Sequence, residues 1–173
     1  AWEYNYWDYW VIRDQYRYTQ NTTGKDTLIN GLLYNEIYQV TIYGGNKNYF
    51  FLREDTTTGS VFKLDPTNFG TETLLMTMTL SIEDTFAFDI GNPVVDSIYY
   101  DSAGRKVIQF DYITHENPYE KMRFIEGVGV NAIKRGGDLF GYGIELLCSY
   151  KDGVKVFTNN YGHSCSIFTI GLH

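Results

Sequence analysis

Apolar and polar residues alternate along this chain in short runs, and no long stretch shows the three-to-four-residue spacing of a helix. The runs are rich in Tyr, Ile, Val, Phe and Thr, which favour strands, and Gly, Asn and Asp separate them. The clearest runs cover residues 38–43, 48–54, 60–64, 72–80, 96–100, 106–113, 121–129, 144–150 and 154–159. The pattern therefore predicts a succession of β-strands.

Turn sequences between these runs predict hairpins. Asp152-Gly153 gives the strongest signal, because this dipeptide favours a two-residue hairpin turn. Asn30-Gly31 and Ser102-Ala103-Gly104 separate similar runs, and Gly59 stands near the end of a longer connection. Successive hairpins produce antiparallel sheet, whose edges are closed in a sandwich or a barrel. We expect residues 1–173 to form a single all-β domain, an antiparallel, hairpin-rich β-sandwich or barrel.

The opening stretch AWEYNYWDYW contains all three tryptophans, Trp2, Trp7 and Trp10. Both faces of a strand with this sequence would carry aromatic residues. Such a strand either anchors the core or presents an exposed aromatic platform, and platforms of this kind stack on sugar rings. Both interpretations stay open, and the three tryptophans are candidate ligand-binding residues.

Charge and composition exclude several classes of function. The chain has 14 Lys and Arg against 21 Asp and Glu, a net charge of −7, and no basic cluster. Nucleic acid is bound by clustered cations, so we expect no nucleic-acid partner. No apolar run approaches the roughly 20 residues of a membrane helix, so we expect no transmembrane segment. The chain begins at Ala1 rather than Met, which favours an exported protein.

The two cysteines are Cys148 and Cys165. They form either one disulfide or two buried thiols. The disulfide is favoured because Cys148 lies on a predicted hairpin next to Cys165. In the chain-entropy view, a loop of this length would stabilise the chain by roughly 3 kcal/mol. The segment GHSCS (162–166) is not a nucleophile elbow, since that motif needs Gly where Ser166 stands.

Metal and cofactor chemistry is not indicated. The histidines His115, His163 and His173 lack ligand spacing. The loop DPTNFG (65–70) lacks the alternating ligands of an EF-hand. We therefore expect no metal and no cofactor. Many carboxylates are available for a glycosidase pair, but any chain with 21 acidic residues offers many such pairs, and solvated turn residues are the favoured interpretation.

The most unusual segment is FIEGVGVNAIKRGGDLFGYG (124–143), where six Gly punctuate twenty residues. Glu126 stands just before the first of them. Glycine at this density permits positive φ or a close approach of backbone. One interpretation is a functional loop around Glu126, which makes Glu126 a candidate ligand-binding residue. The other is a long irregular connection over the end of a sheet.

Five segments occur in an order that resembles a group of uncharacterised exported proteins of the Bacteroidetes type. They are DTLINGLLYNEIY (26–38), YFFLRED (49–55), ETLLMTMTLSIEDTF (72–86), FIEGVGVN (124–131) and ELLCSYKDGVKVF (145–157) with a later Cys. Two positions depart from that group, with Glu83 where Gly is expected and Thr77 where an acidic residue is common. The resemblance implies a secreted or lipid-anchored protein, hence an extracytoplasmic location. It supplies no catalytic residues.

Three hypotheses about function follow. The first is a non-catalytic exported or cell-surface binding protein that takes a polysaccharide or another surface protein as partner. The second is an extracytoplasmic polymer hydrolase, which requires two carboxylates in a cleft, one of them with a raised pKa. The third is a structural or protein-interaction module with an exposed sheet edge. We favour the first, with glycan as the ligand.

Overall fold

Most strands coincide with the alternating runs, but the strand over residues 16–29 lies outside them, and the run over 72–80 is strand only as far as Met76. The computed structural model describes residues 2–7, 16–41, 47–88, 91–113, 120–135, 142–151 and 154–158. These residues contain the strands β1 (Trp2–Trp7), β2 (Tyr16–Ile29), β3 (Leu32–Thr41), β4 (Asn48–Asp55), β5 (Ser60–Asp65), β6 (Asn68–Met76), β7 (Val95–Tyr100), β8 (Lys106–Ile113), β9 (Lys121–Ile125), β10 (Gly129–Val130), β11 (Ala132–Arg135), β12 (Tyr142–Lys151) and β13 (Val154–Thr158). No helix lies in the described ranges, and the all-β prediction is confirmed.

The strands form two sheets with antiparallel pairing. The large sheet has the order β11-β12-β1-β2-β3-β4-β5-β6, and β13 also pairs with β12. The small sheet has the order β10-β9-β8-β7. The strands described form no closed barrel, because β6 ends one side of the large sheet and β11 and β13 end the other.

The predicted hairpins are confirmed. At Asn30-Gly31 the two φ angles are 52° and 80°, the pair of positive values that a type I′ turn requires. The Ser102-Ala103-Gly104 turn joins β7 to β8. Asp152-Gly153 lies outside the described residues, but the strands on either side pair with Lys151 opposite Val154. Local turn chemistry thus sets the register of each hairpin.

The centre of the small sheet, in β8 and β9, is buried on both faces. Neighbouring residues are buried together in β8 and in β9: Val107, Ile108, Phe124 and Ile125. Successive side chains on a strand point to opposite faces, so each pair sends one side chain to each face. One hydrophobic cluster then reaches Met76 of β6, and the other reaches Leu146 of β12. Two regions of the large sheet therefore cover the small sheet from opposite sides.

Aromatic rings fill the first of these clusters. The centroid of the Phe124 ring lies 4.8 Å from that of Phe110 and 5.0 Å from that of Phe86, in edge-to-face arrangements. Phe88 lies 6.0 Å from Phe124 by the same measure. Such rings combine a large buried apolar area with favourable edge-to-face contacts. Phe124 is the ring that all three others contact.

Asn131 connects the two sheets where the chain passes from β10 to β11, and it is fully buried. Its backbone N–H donates to the Arg123 carbonyl (3.0 Å), and its carbonyl accepts the Leu146 N–H (2.7 Å). Its side-chain Nδ2 donates to Glu120 Oε1 (3.0 Å) and to the Lys121 carbonyl (3.1 Å), while Oδ1 accepts the Arg123 N–H. One buried amide thus holds β9 and β12 in place.

Two expectations about residues 121–143 also need correction. The strand predicted over 121–129 ends at Ile125, because residues 126–128 form a turn in which Gly127 has a φ of 67°. The interpretation of 124–143 as a long irregular connection is wrong for residues 129–135, which form β10 and β11 around Asn131. The glycines here permit a tight turn between strands, as their φ angles require.

Glu83 adopts an unusual backbone conformation for a residue with a side chain. Its φ is 74°, in the left-handed region that glycine occupies without strain. The resemblance described above leads us to expect Gly at this position. A backbone hydrogen bond stabilises this conformation, because the Glu83 N–H donates to the Val95 carbonyl at 3.0 Å.

Candidate functional site

Residues 2–7 of the opening stretch form an inner strand of the large sheet. Tyr4 of β1 stands opposite Leu146 on one side and opposite Tyr18 on the other, so β1 is paired along both edges. Trp2 and Trp7 are the ends of this strand, while Trp10 lies outside the described residues. The assignment of the three tryptophans to ligand binding stays a prediction.

Glu126 lies in the exposed turn between β9 and β10. Its Oε2 accepts the backbone N–H of Lys106 at 2.9 Å, and its own N–H donates to the Lys106 carbonyl at 3.0 Å. These bonds fasten the turn to the start of β8. These hydrogen bonds give Glu126 a structural role. Its assignment to ligand binding stays a prediction.

The predicted disulfide involves one described residue. Cys148 is fully buried in β12, whereas Cys165 lies outside the described residues. Cys148 stands opposite Glu3 of β1 and opposite Thr158 of β13. The pairing of Cys148 with Cys165 stays a prediction.

Aromatic residues gather on one face of the neighbouring strands β3, β4 and β5. Directly opposed residues of antiparallel strands share a face, as do residues an even number apart on one strand. Tyr38 stands opposite Tyr49, and Arg53 stands opposite Phe62. We call this side of the three strands the aromatic face, defined by Tyr34, Tyr38, Tyr49, Arg53 and Phe62.

At one end of the aromatic face two tyrosines form a pair. The ring centroids of Tyr38 and Tyr49 are 6.5 Å apart, and the planes meet at 47°. Tyr49 is 46% exposed, so part of its ring is available to a ligand. The Lys47 ammonium lies 5.1 Å from the centroid of the Tyr38 ring, within the range of a cation–π interaction. The exposed Tyr49 ring thus lies beside the Tyr38 ring, and the Lys47 ammonium lies over Tyr38.

At the other end of the aromatic face an ion pair joins β4 to the edge strand β6. Arg53 Nε and Nη2 donate to the two carboxylate oxygens of Glu72, each at 2.8 Å. The Tyr34 hydroxyl donates to Glu72 Oε1 at 2.6 Å. The Arg53 guanidinium also lies 4.1 Å from the centroid of the Phe62 ring. Glu72 accepts three hydrogen bonds, so this cluster stiffens the face and stabilises the ionised form of the carboxylate.

The Glu72 cluster makes stability depend on acid pH. Hydrogen bonding to Arg53 is the main cause that holds the pKa of Glu72 below its usual range. The cluster therefore stabilises the folded chain above the unfolded-state pKa, and this contribution is lost as the pH falls through the lower folded-state pKa. At pH 7 we expect Glu72→Gln to lower the free energy of unfolding by about 1 kcal/mol, a value reduced by partial exposure.

Urea denaturation at pH 7, 5 and 3 measures this effect. The difference between wild type and Glu72→Gln is expected to shrink toward zero at the lowest pH. Glu54→Gln, which changes an exposed carboxylate on β4, serves as the control and should match wild type throughout. A difference that stays constant with pH would contradict the assignment of the effect to Glu72 ionisation.

The described carboxyl groups include five whose pKa departs clearly from its ordinary value. Among them, those with a shifted pKa all have it lowered: Asp55, Asp65, Glu72, Asp96 and Asp101. A hydrolase that protonates a leaving group needs one carboxyl with a raised pKa. Within the described ranges there is also no group of three or more His, Cys, Asp or Glu side chains that could hold a metal ion.

Comparison of the chain with protein-family models, with curated proteins and with solved structures finds no match. In the part of the chain that the structure describes, no helix has the length and apolar character needed to span a bilayer. Evidence about function therefore comes from the described side chains and their contacts.

Proposed function

We propose that the protein is an exported or cell-surface β-sandwich that binds glycan through the aromatic face and does not cleave it. The observation that carries the proposal is the Tyr38–Tyr49 pair, in which a half-exposed ring stands beside Lys47 on a sheet face. The extracytoplasmic location is supported by the resemblance of five segments to exported proteins.

The arrangement suits a sugar for a physical reason. A pyranose ring has an apolar face of C–H groups and a rim of hydroxyls. An exposed tyrosine ring offers an apolar surface to the first and a phenol hydroxyl to the second. Strands hold such residues more rigidly than loops, so little conformational entropy is lost on binding. The Arg53–Glu72 ion pair fixes the neighbouring strands and keeps the face in shape.

Replacing one tyrosine tests the proposal. We expect Tyr49→Ala to weaken binding at least about tenfold, because a tyrosine that anchors a binding surface contributes about 2 kcal/mol or more. Affinity electrophoresis through gels that contain xylan, mannan, laminarin or hydroxyethylcellulose measures the effect. Tyr100→Ala is the matched control, since Tyr100 is 70% exposed on β7 of the other sheet.

Two results would contradict the proposal. In the first, none of the polysaccharides retards the wild-type protein. In the second, Tyr49→Ala and Tyr100→Ala are retarded as strongly as wild type. Circular dichroism of both variants shows whether a lost interaction reflects loss of fold.

A further inference from the structure

The ladder between β7 and β8 breaks beyond Val95. Val95 pairs with Phe110, and the Asp111 N–H then donates to the Val94 carbonyl at 2.9 Å. The return bond is made by a side chain, because the Val94 N–H donates to Asp111 Oδ1 at 2.9 Å. The residue before it is Pro93, which has no N–H to continue the ladder. The two segments separate from this point.

A recess opens where they separate. Its volume is about 410 Å³, and its walls are residues 91–93 on one side and 111–113 on the other. This volume falls within the range of small-molecule sites, which is roughly 300–1,000 Å³. Ile113 is 49% exposed and Pro93 is half-buried, so the walls include accessible apolar surface. The recess is formed by backbone divergence that Asp111 and Pro93 impose.

The polar groups of the recess are available to a ligand. Asp111 uses only Oδ1 within the described part of the chain. The Asn92 carboxamide and the Tyr112 hydroxyl make no hydrogen bond there. Tyr112 packs against the core cluster of the small sheet, and burial raises the pKa of its hydroxyl. None of the six lining residues is Lys or Arg.

We propose that this recess binds one or two units of a neutral saccharide, as a second site that acts together with the aromatic face. The inference rests on the proposed function. The Asp111 carboxylate and the Asn92 carboxamide match sugar hydroxyls, which both donate and accept hydrogen bonds, and Pro93 and Ile113 offer apolar surface to the C–H groups. The Asp111 carboxylate, with no cation among the lining residues, disfavours uronic acids and sulfated sugars.

Amide NMR spectra of the full chain test the inference. Maltose and cellobiose are the neutral probes, and glucuronic acid is the anionic one. We expect the neutral probes to shift the amide signals of Asn92, Asp111 and Ile113, and glucuronic acid to leave them unchanged. Asn92→Ala should weaken neutral binding at this site roughly fivefold, the effect of one lost hydrogen bond. Asn35→Ala, an exposed asparagine on β3, is the control and should bind like wild type.

Asp111→Asn adds an independent variant, because it keeps the oxygen that accepts the Val94 N–H and converts the other to a donor. It should bind the neutral probes less well while retaining the fold. If both recess variants bind like wild type while Tyr49→Ala loses binding, the recess is not a site and the proposed function stands. If no neutral saccharide binds at all, both proposals are wrong. Equal binding of glucuronic acid in the recess would overturn the selectivity for neutral sugars.

Discussion

Phe124→Ala is expected to lower the free energy of unfolding by about 4 kcal/mol, the usual cost of removing a buried aromatic ring. Phe124 is fully buried, and its ring contacts Phe86, Phe88 and Phe110. The substitution leaves a cavity between the small sheet and the residues of β6 that cover it. Urea denaturation followed by circular dichroism measures the change.

Phe124→Leu provides a second measurement in case the alanine variant does not fold. It should cost about 1.5 kcal/mol, because most of the volume is kept and the ring contacts are lost. Tyr100→Ala, at the exposed end of β7, should change stability by less than about 0.5 kcal/mol. A Phe124→Ala protein as stable as wild type would show that this cluster is not the core.

Asn131→Leu is expected to lower the free energy of unfolding by about 3 kcal/mol, since buried polar groups that lose their partners cost about 1–3 kcal/mol each. The leucine cannot accept the Arg123 N–H or donate to Glu120 and Lys121. It therefore leaves polar groups unpaired at the connection between the two sheets. Urea denaturation again measures the effect, with the exposed Asn35→Ala as control.

Asn131→Asp distinguishes hydrogen bonding from packing. The aspartate has the shape of asparagine and keeps an oxygen for the Arg123 N–H. It also places a second carboxylate next to that of the buried Glu120 and loses the donor to it. We expect this variant to be at least as unstable as Asn131→Leu. An Asn131→Asp protein with wild-type stability would contradict the role assigned to the amide.

Local features of the fold could be predicted from the sequence. Asn30-Gly31 specifies its hairpin because both positions need positive φ, and that requirement is met within the turn itself. The pairing of β1 with β12 could not be predicted, since it joins residues more than a hundred positions apart and no turn sets its register. The adjacent apolar residues Val107 and Ile108 do indicate, from the sequence, that β8 is covered on both faces. A run without alternation indicates a strand covered on both faces.

The candidate site could be predicted only in part. Tyr38 and Tyr49 both lie in runs that predicted strands, but their opposition depends on the register of β3 and β4. The aromatic residues of positions 1–10 led instead to a prediction that the three tryptophans bind ligand. Glu126 falls within a run predicted as strand but lies in a turn, and its hydrogen bonds to Lys106 depend on the pairing of β8 with β9. Contacts between distant strands are not encoded in any single segment.

One measurement tests whether the aromatic face binds glycan and whether the protein leaves that glycan uncleaved. The polysaccharide that retards the protein most strongly is incubated overnight with an excess of immobilised wild-type protein or of Tyr49→Ala. The retained glycan is then eluted and sized. We predict that wild type retains glycan of unchanged chain length and that Tyr49→Ala retains much less. Shortened chains after incubation with wild type, or equal retention by Tyr49→Ala, would contradict the account.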